Sequence, residues 1–272
     1  MPAVPSADDL IDRIAPTRRP RERVVMRQRW AELLFLHWPV PPDDLRPLLP
    51  PGLTPDTFAG EAFAGLVPFT MTGVRPVWAP AVPGLSAFHE VNVRTYVHRD
   101  GGDPGVFFFS LDAANPVAVR LARWLWKLPY HFARMRLARG NGDETGLGVE
   151  YDSERLWPGP VPAACRVRYR PTGTPAPAAP GTLEHFLVER YLLYTTRLSA
   201  RGKMRLLRGQ VHHAPYPLQP AVVDEMEESL VRAARIVRPE IPPPLAHYAR
   251  EVRVEVFGLR DVTRQALPRR GA

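Results

Sequence analysis

The sequence predicts an α+β fold built on one large antiparallel β-sheet. Three observations predict it. About nine segments alternate apolar and polar residues, most are joined by turn-rich connections, and only three helical stretches longer than a short turn interrupt them. A sheet with so many strands curls or closes on itself. At its centre lies Phe88–His98, where Glu90, Asn92, Arg94, Tyr96 and His98 fall on one side of a strand and Val91, Val93, Thr95 and Val97 on the other. The β-branched side suits a core. The opposite side carries an acid, an amide, a guanidinium, a phenol and an imidazole, each about 7 Å from the next. Facing solvent, that row is a polar surface; facing the inside of a curled sheet, it is the floor of a small-molecule pocket.

Composition narrows the function classes. With 272 residues the chain can bury a substantial core. No run of about 18 apolar residues exists, so no membrane span or membrane partner is expected. The start of the chain is polar and Pro-rich rather than a secretory signal, and the single cysteine, Cys165, excludes an internal disulfide. These features fit a reducing, cytoplasmic compartment. The net charge of +8 raises the question of nucleic acid, but only Lys127 and Lys203 of the 36 basic residues are lysines and the arginines are scattered, so no phosphate groove is expected. A tail is expected over residues 1–22, a single domain over 23–262 and a second tail over 263–272. A homo-oligomer is compatible with this composition.

Taken in order, Ala31–Val40 reads as a buried strand, with His37 as a core histidine bonded to a backbone carbonyl. Asp43–Leu49 is a short helix between proline pairs. Gly60–Phe69 is a strand whose small residues allow a backbone or ligand to come close. Val106–Asp112 pairs with the central strand as an antiparallel hairpin, which brings Asp112 near Glu90 or Asn92 if it points to the same side. Asn115-Pro116 starts a helix reaching Lys127, with Leu121, Trp124 and Leu125 on one side. Tyr130–Leu137 alternates as a strand, sending Tyr130, Phe132, Arg134 and Arg136 one way and His131 the other. A turn at Gly140–Asp143 and a short strand over Leu147–Tyr151 follow.

In Ala163–Arg170 the inward residues are Cys165, Val167 and Tyr169, and Arg166, Arg168 and Arg170 read as a solvated sheet edge. Thr182 caps a helix with Leu183, Phe186, Leu187 and Tyr191, and Lys203–His213 is a strand. Ala221–Ile236 reads as a helix with acids in its first half and arginines in its second, the order the helix dipole favours. Tyr248–Phe257 is the last strand.

Phe35-Leu36-His37-Trp38, Gly65–Phe69, Phe88–Val97, Phe107–Ala113, Leu128-Pro129-Tyr130 and His213–Pro217 together resemble the bacterial DUF2071 (YqjF-like) family, in order over about residues 28–260. That family is considered a distant relative of acetoacetate decarboxylase. The resemblance implies a cone-like antiparallel barrel with a central cavity. It also implies a test, because acetoacetate decarboxylase works through a Schiff-base lysine in a pair that directly follows a proline. The local counterpart of that proline is Pro129, and Tyr130 and His131 follow it. Lys127 ends a helix, where the dipole favours the ammonium form, and Lys203 reads as a surface lysine.

The candidate catalytic residues are therefore Glu90, Arg94 and Tyr130, with Asn92, Tyr96, Asp112, His131, Arg134 and His213 as candidate ligand-binding residues. An arginine and a carboxyl in one cavity can bind a small acid while a proton is moved nearby. A buried Glu90–Arg94 ion pair acting as an internal brace is the structural alternative. No metal-binding spacing and no Gly-rich phosphate loop occur, so neither a metal nor a cofactor is expected. Three functions follow: a cofactor-independent, lyase-like or isomerase-like enzyme acting on a small carbonyl or carboxylate compound, a non-catalytic binding protein, or a structural protein.

Overall fold

The computed structural model describes residues 11–140, 148–159, 162–239 and 245–263. The chain runs β1 (Val24–Val40), α1 (Pro42–Leu45), β2 (Thr54–Pro55), β3 (Ala62–Pro76), β4 (Phe88–Arg99), β5 (Gly102–Ala113) and α2 (Pro116–Leu125). It continues through β6 (Tyr130–Arg139), β7 (Val149–Trp157), β8 (Ala164–Pro171), α3 (Leu183–Val188), β9 (Leu192–Leu198) and β10 (Met204–His212). β11 (Leu218–Glu228), α4 (Leu230–Ala233), β12 (Leu245–Phe257) and β13 (Arg260–Asp261) complete it. All 13 strands belong to one sheet.

The sheet forks. β12, β1, β3, β4 and β5 form a continuous antiparallel wall. One half of β5, at Leu111–Ala113, pairs with β6, and the ladder returns through β7, β8 and β11 to β12. The other half, at Val106–Phe107, pairs with β9 and returns through β10 to β12. Both pairings of the fork are parallel, so the large curled sheet is mixed rather than purely antiparallel. The wall thus has a lobe on each face. In the β6–β8 lobe, Leu34, Leu36, Trp38, Val91, Val93, Tyr151, Val167 and Tyr169 pack as a core. In the β9–β10 lobe, Phe35, Val67, Phe69, Tyr96, Val106 and Val256 line the other side.

Alternation sets these faces, and irregularities shift them. On β1, Trp30 and Phe35 look into the same lobe although their spacing is odd. Glu32, at φ 54°, takes the left-handed backbone between them, where the β1–β3 register slips. On β5, a second slip lets Phe108 and Leu111 both face the β9–β10 lobe.

Several expected elements are found and several are not. Asn115 caps α2 by accepting hydrogen bonds from the Val117 and Ala118 amides (both 3.0 Å), with Pro116 at the first helical position. Only Val119 of α2 is buried, and Leu121, Trp124 and Leu125 are exposed. The helix expected over 221–236 is instead β11 followed by the single turn α4. Its acids pair across the sheet, Glu225 with Arg168 at 2.6 Å and Asp224 with Arg170 at 3.3 Å. β8 is accordingly an interior strand and its arginines are no edge, since Arg166 also meets Asp152 at 2.7 Å.

The chain is already docked at Ile11, which is buried, and Arg13 reaches Asp56, so the segment read as a tail is held from there on. The turn at Gly140–Asp143 and the start of the strand at Leu147 lie outside the described residues. Among the described residues, no helix is long and apolar enough to cross a membrane.

Candidate functional site

The β9–β10 lobe encloses a cavity of about 950 Å³. Its walls are mostly apolar: Phe35, Phe69, Met71, Val106, Phe108 and Val256 are among them. Four candidate residues line it together: Glu90, Asn92 and Arg94 from β4, and Tyr130 from the first position of β6. Glu90, Asn92 and Arg94 of the central strand therefore face a void, and Val91 and Val93 face the filled lobe.

Glu90 and Tyr130 form one unit. The Tyr130 hydroxyl donates to Glu90 Oε2 at 2.8 Å, and both side chains are buried. Arg123 of α2 donates to the Tyr130 carbonyl at 2.6 Å and fixes the backbone there. Burial pushes the Glu90 carboxyl up to about 8; the Tyr130 hydrogen bond acts against that shift and the nearby Asp112 charge adds to it. Tyr130 is held well above the usual phenol range by burial and by Glu90, so it remains a donor. At neutral pH this pair carries a proton that the cavity can use.

Arg94 stands two rungs further along. Its Nη2 donates to the Leu187 carbonyl at 3.1 Å and to the Tyr96 hydroxyl at 3.3 Å, and its Nε is buried without a partner. None of the ion pairs among the described residues includes Arg94 or Glu90, so the internal brace is absent. The Arg94 guanidinium lies over the Phe35 and Tyr96 rings at 5.6 and 5.5 Å. Gly65 of β3 makes room for it: a Cβ there would lie 3.2 Å from Arg94 Cγ and 3.4 Å from both His37 Cδ2 and the Tyr96 hydroxyl. Between the two groups, the Asn92 side-chain oxygen is buried with no hydrogen-bond partner.

The other candidates lie elsewhere. Tyr96 shares the Arg94 face but sits behind it, its hydroxyl 2.7 Å from His37 Nε2. His37 is thus bonded to a phenol rather than a backbone carbonyl, and burial, Arg94 and His247 keep it neutral. Asp112 stands across from Val91, one residue out of register with the cavity row, and meets Arg155 bidentately at 2.7 and 2.8 Å. His131 follows Asp112 onto that side, with Nδ1 2.7 Å from the Pro158 carbonyl. Arg134 keeps the parity of Tyr130, but about 13 Å further along β6 that face has left the cavity for solvent, where Arg134 pairs with Glu154. His213 lies behind the cavity wall, stacked on Tyr191 at 4.4 Å between ring centres; burial lowers it to about 4, so it is neutral.

Two buried groups escaped the reading of the sequence. Arg190, which lines the cavity, pairs with Asp56 at 2.6 Å, and Arg13 meets the same carboxyl at 2.5 Å. Burial works to raise Asp56, and the two guanidiniums outweigh it and hold it low. The partners are separated by 134 positions, and no local pattern marks either of them. Among the described residues that line the cavity there is no lysine, so a Schiff base has no amine there. No cluster of three or more metal-binding side chains occurs among the described residues.

The fold has known counterparts. The acetoacetate decarboxylase-like enzyme from Sphingomonas wittichii RW1 superposes with a TM-score of 0.60 at 15% identity, over 89% of this chain and 94% of that one. The enduracididine biosynthesis enzyme MppR, solved with pyruvate, gives 0.59 at 16% identity over 89% and 91%. These likenesses show a shared acetoacetate decarboxylase-like fold. In sequence, the chain is 39% identical over 236 residues to the uncharacterized protein YqjF of Bacillus subtilis (strain 168), covering 87% of this chain and 92% of that protein. Residues 27–253 match the family model DUF2071, described as an uncharacterized conserved protein, and the chain belongs to that family.

Proposed function

We propose that this protein binds a small carbonyl- or hydroxyl-bearing carboxylate in the cavity and moves a proton on it without a Schiff base. The observation that carries this reading is the buried guanidinium of Arg94, which has no carboxylate partner of its own yet faces a void. Burying a cation without an anion is unfavourable, and a ligand carboxylate supplies the missing charge in a bidentate contact. Asn92 offers its unpaired amide oxygen to a donor on the ligand, such as a hydroxyl.

Glu90 and Tyr130 are the acid–base pair. A carboxyl with a pKa of about 8 is close enough to neutral pH to give or take a proton. Tyr130 donates to it and holds the emerging carboxylate after proton transfer. Pyruvate in the fold neighbour MppR supports the oxo-acid class. The test is turnover of a panel of oxo and hydroxy acids by the wild type, Glu90→Gln and Arg94→Met. Turnover lost in Glu90→Gln, with ligand binding and folding retained, supports the enzyme. Binding without turnover in the wild type leaves a binding protein, and no Arg94-dependent binding ends the proposal.

A further inference from the structure

The cavity is far larger than a three- or four-carbon acid requires. A cavity of about 950 Å³ is at the upper end of the range that holds whole drug-sized ligands. A pyruvate-sized ligand would leave most of that space as water against apolar walls, and apolar cavities do not retain water well.

The void also has a direction. Arg94 lies at its closed end, beneath Phe35, Tyr96 and Leu187. Towards Phe88, about 20 Å along β4, the lining becomes exposed. There the rim is built from Val82 and Leu85 of the β3–β4 connection and from Val117, Leu121 and Leu125 of α2, each between 45% and 53% exposed. Half-exposed leucines and valines continuous with an apolar tunnel are suited to an apolar ligand body.

We infer that the ligand is amphipathic: a carboxylate seated on Arg94, with an extended apolar body running past Asn92 and Glu90 to the rim at α2. Its chemical class is a medium-chain oxo or hydroxy acid rather than a three-carbon one. This rests on the carboxylate reading of Arg94 and adds the apolar body to it. The ligand enters acid first, and the carbons next to the carboxylate come to lie along the Asn92–Glu90 stretch.

The experiment is calorimetric titration of the whole chain with straight-chain 2-oxo acids of four, eight and twelve carbons and with the primary alcohols of the same lengths. It is run on the wild type, Arg94→Met and the rim variant Leu121→Asp/Leu125→Asp. The rim side chains are about half exposed, so the polar replacements leave the core intact. Affinity should rise up to about fourfold per added methylene in the wild type, and that gain should flatten in the rim variant while the four-carbon acid binds as before. Arg94→Met should remove the preference for acid over alcohol.

A length-independent affinity that still needs Arg94 overturns the amphipathic ligand and leaves the proposed function standing. A length gain without acid preference, unchanged in Arg94→Met, overturns the carboxylate reading itself. No binding by any compound overturns both.

Discussion

The two faces of the β12–β1–β3–β4–β5 wall treat buried charge in opposite ways. On the filled face, Asp112 and Arg155 meet at 2.7 and 2.8 Å and leave no net charge behind. On the cavity face, Arg94 has only a carbonyl and a phenol as partners, and Glu90 avoids charge by holding its proton. Adjacent strands of the wall serve the two faces: Asp112 of β5 stands opposite Val91, while Glu90 and Arg94 of β4 line the cavity. The Asp112–Arg155 charges of the filled face are matched without a ligand; the cavity face has the Arg94 guanidinium and the Asn92 amide oxygen still to satisfy. Charge left unpaired inside a protein destabilises it unless something arrives to pair it.

The largest expected effect tests the filled face. Asp112→Asn strands the Arg155 cation in the core and should lower stability by about 3–5 kcal/mol in denaturant unfolding. Acid binding, normalised to folded protein, should hold. If that variant loses ligand affinity without losing stability, the two faces are not independent.

Next comes Arg94→Met. It removes a buried cation that has no carboxylate, so stability should stay level or rise, while affinity for a 2-oxo acid falls by at least about thirtyfold, the equivalent of 2–5 kcal/mol. A large loss of stability with unchanged binding would make Arg94 a structural group like Arg155.

The third expectation concerns pH. The folded Glu90 pKa of about 8 lies above its unfolded value of 4.5, so between those pH values the native state holds a proton that the unfolded state has released. Its contribution is fully present below about 4.5 and is lost as pH rises through about 8, with a slope of up to about 1.4 kcal/mol per pH unit. In Glu90→Gln that slope should vanish from the pH dependence of unfolding. Acid binding in the wild type should also weaken above pH 8, where Glu90 becomes an anion, and should not weaken there in the variant.

The smallest effect is expected from Gly65→Ala, whose Cβ would press on Arg94 Cγ at 3.2 Å. A change of about 1 kcal/mol in stability and a severalfold loss of acid affinity, measured side by side, would show that Gly65 serves the position of the guanidinium.

What could be read from the sequence was whatever alternation or capping determines locally. The β4 row, the in–out pattern of β8 and the Asn115-Pro116 helix start depend on neighbours in the chain, and the structure has them. The rest depends on distant partners. Asp224 and Glu225 look like the acidic start of a helix until Arg168 and Arg170 stand opposite them, and the β-branched pair Val222-Val223 was the local hint of a strand. The side that Asp112 takes is left open by the sequence, because the hairpin register that sets it against Val91 is not legible in either strand alone. Arg134 has the right parity and the wrong depth, since parity gives a side but not how far a cavity extends. Asp56 and Arg190 carry no signal at all short of the folded chain.

The most direct measurement is a crystal structure of the protein soaked with 2-oxooctanoate. The carboxylate should lie within about 3 Å of the Arg94 guanidinium, with the alkyl chain directed past Glu90 towards Leu121 and Leu125. Ligand density seated elsewhere, or an Arg94 that keeps only its Leu187 and Tyr96 contacts beside an ordered ligand, would contradict the assignment of this cavity to an organic acid.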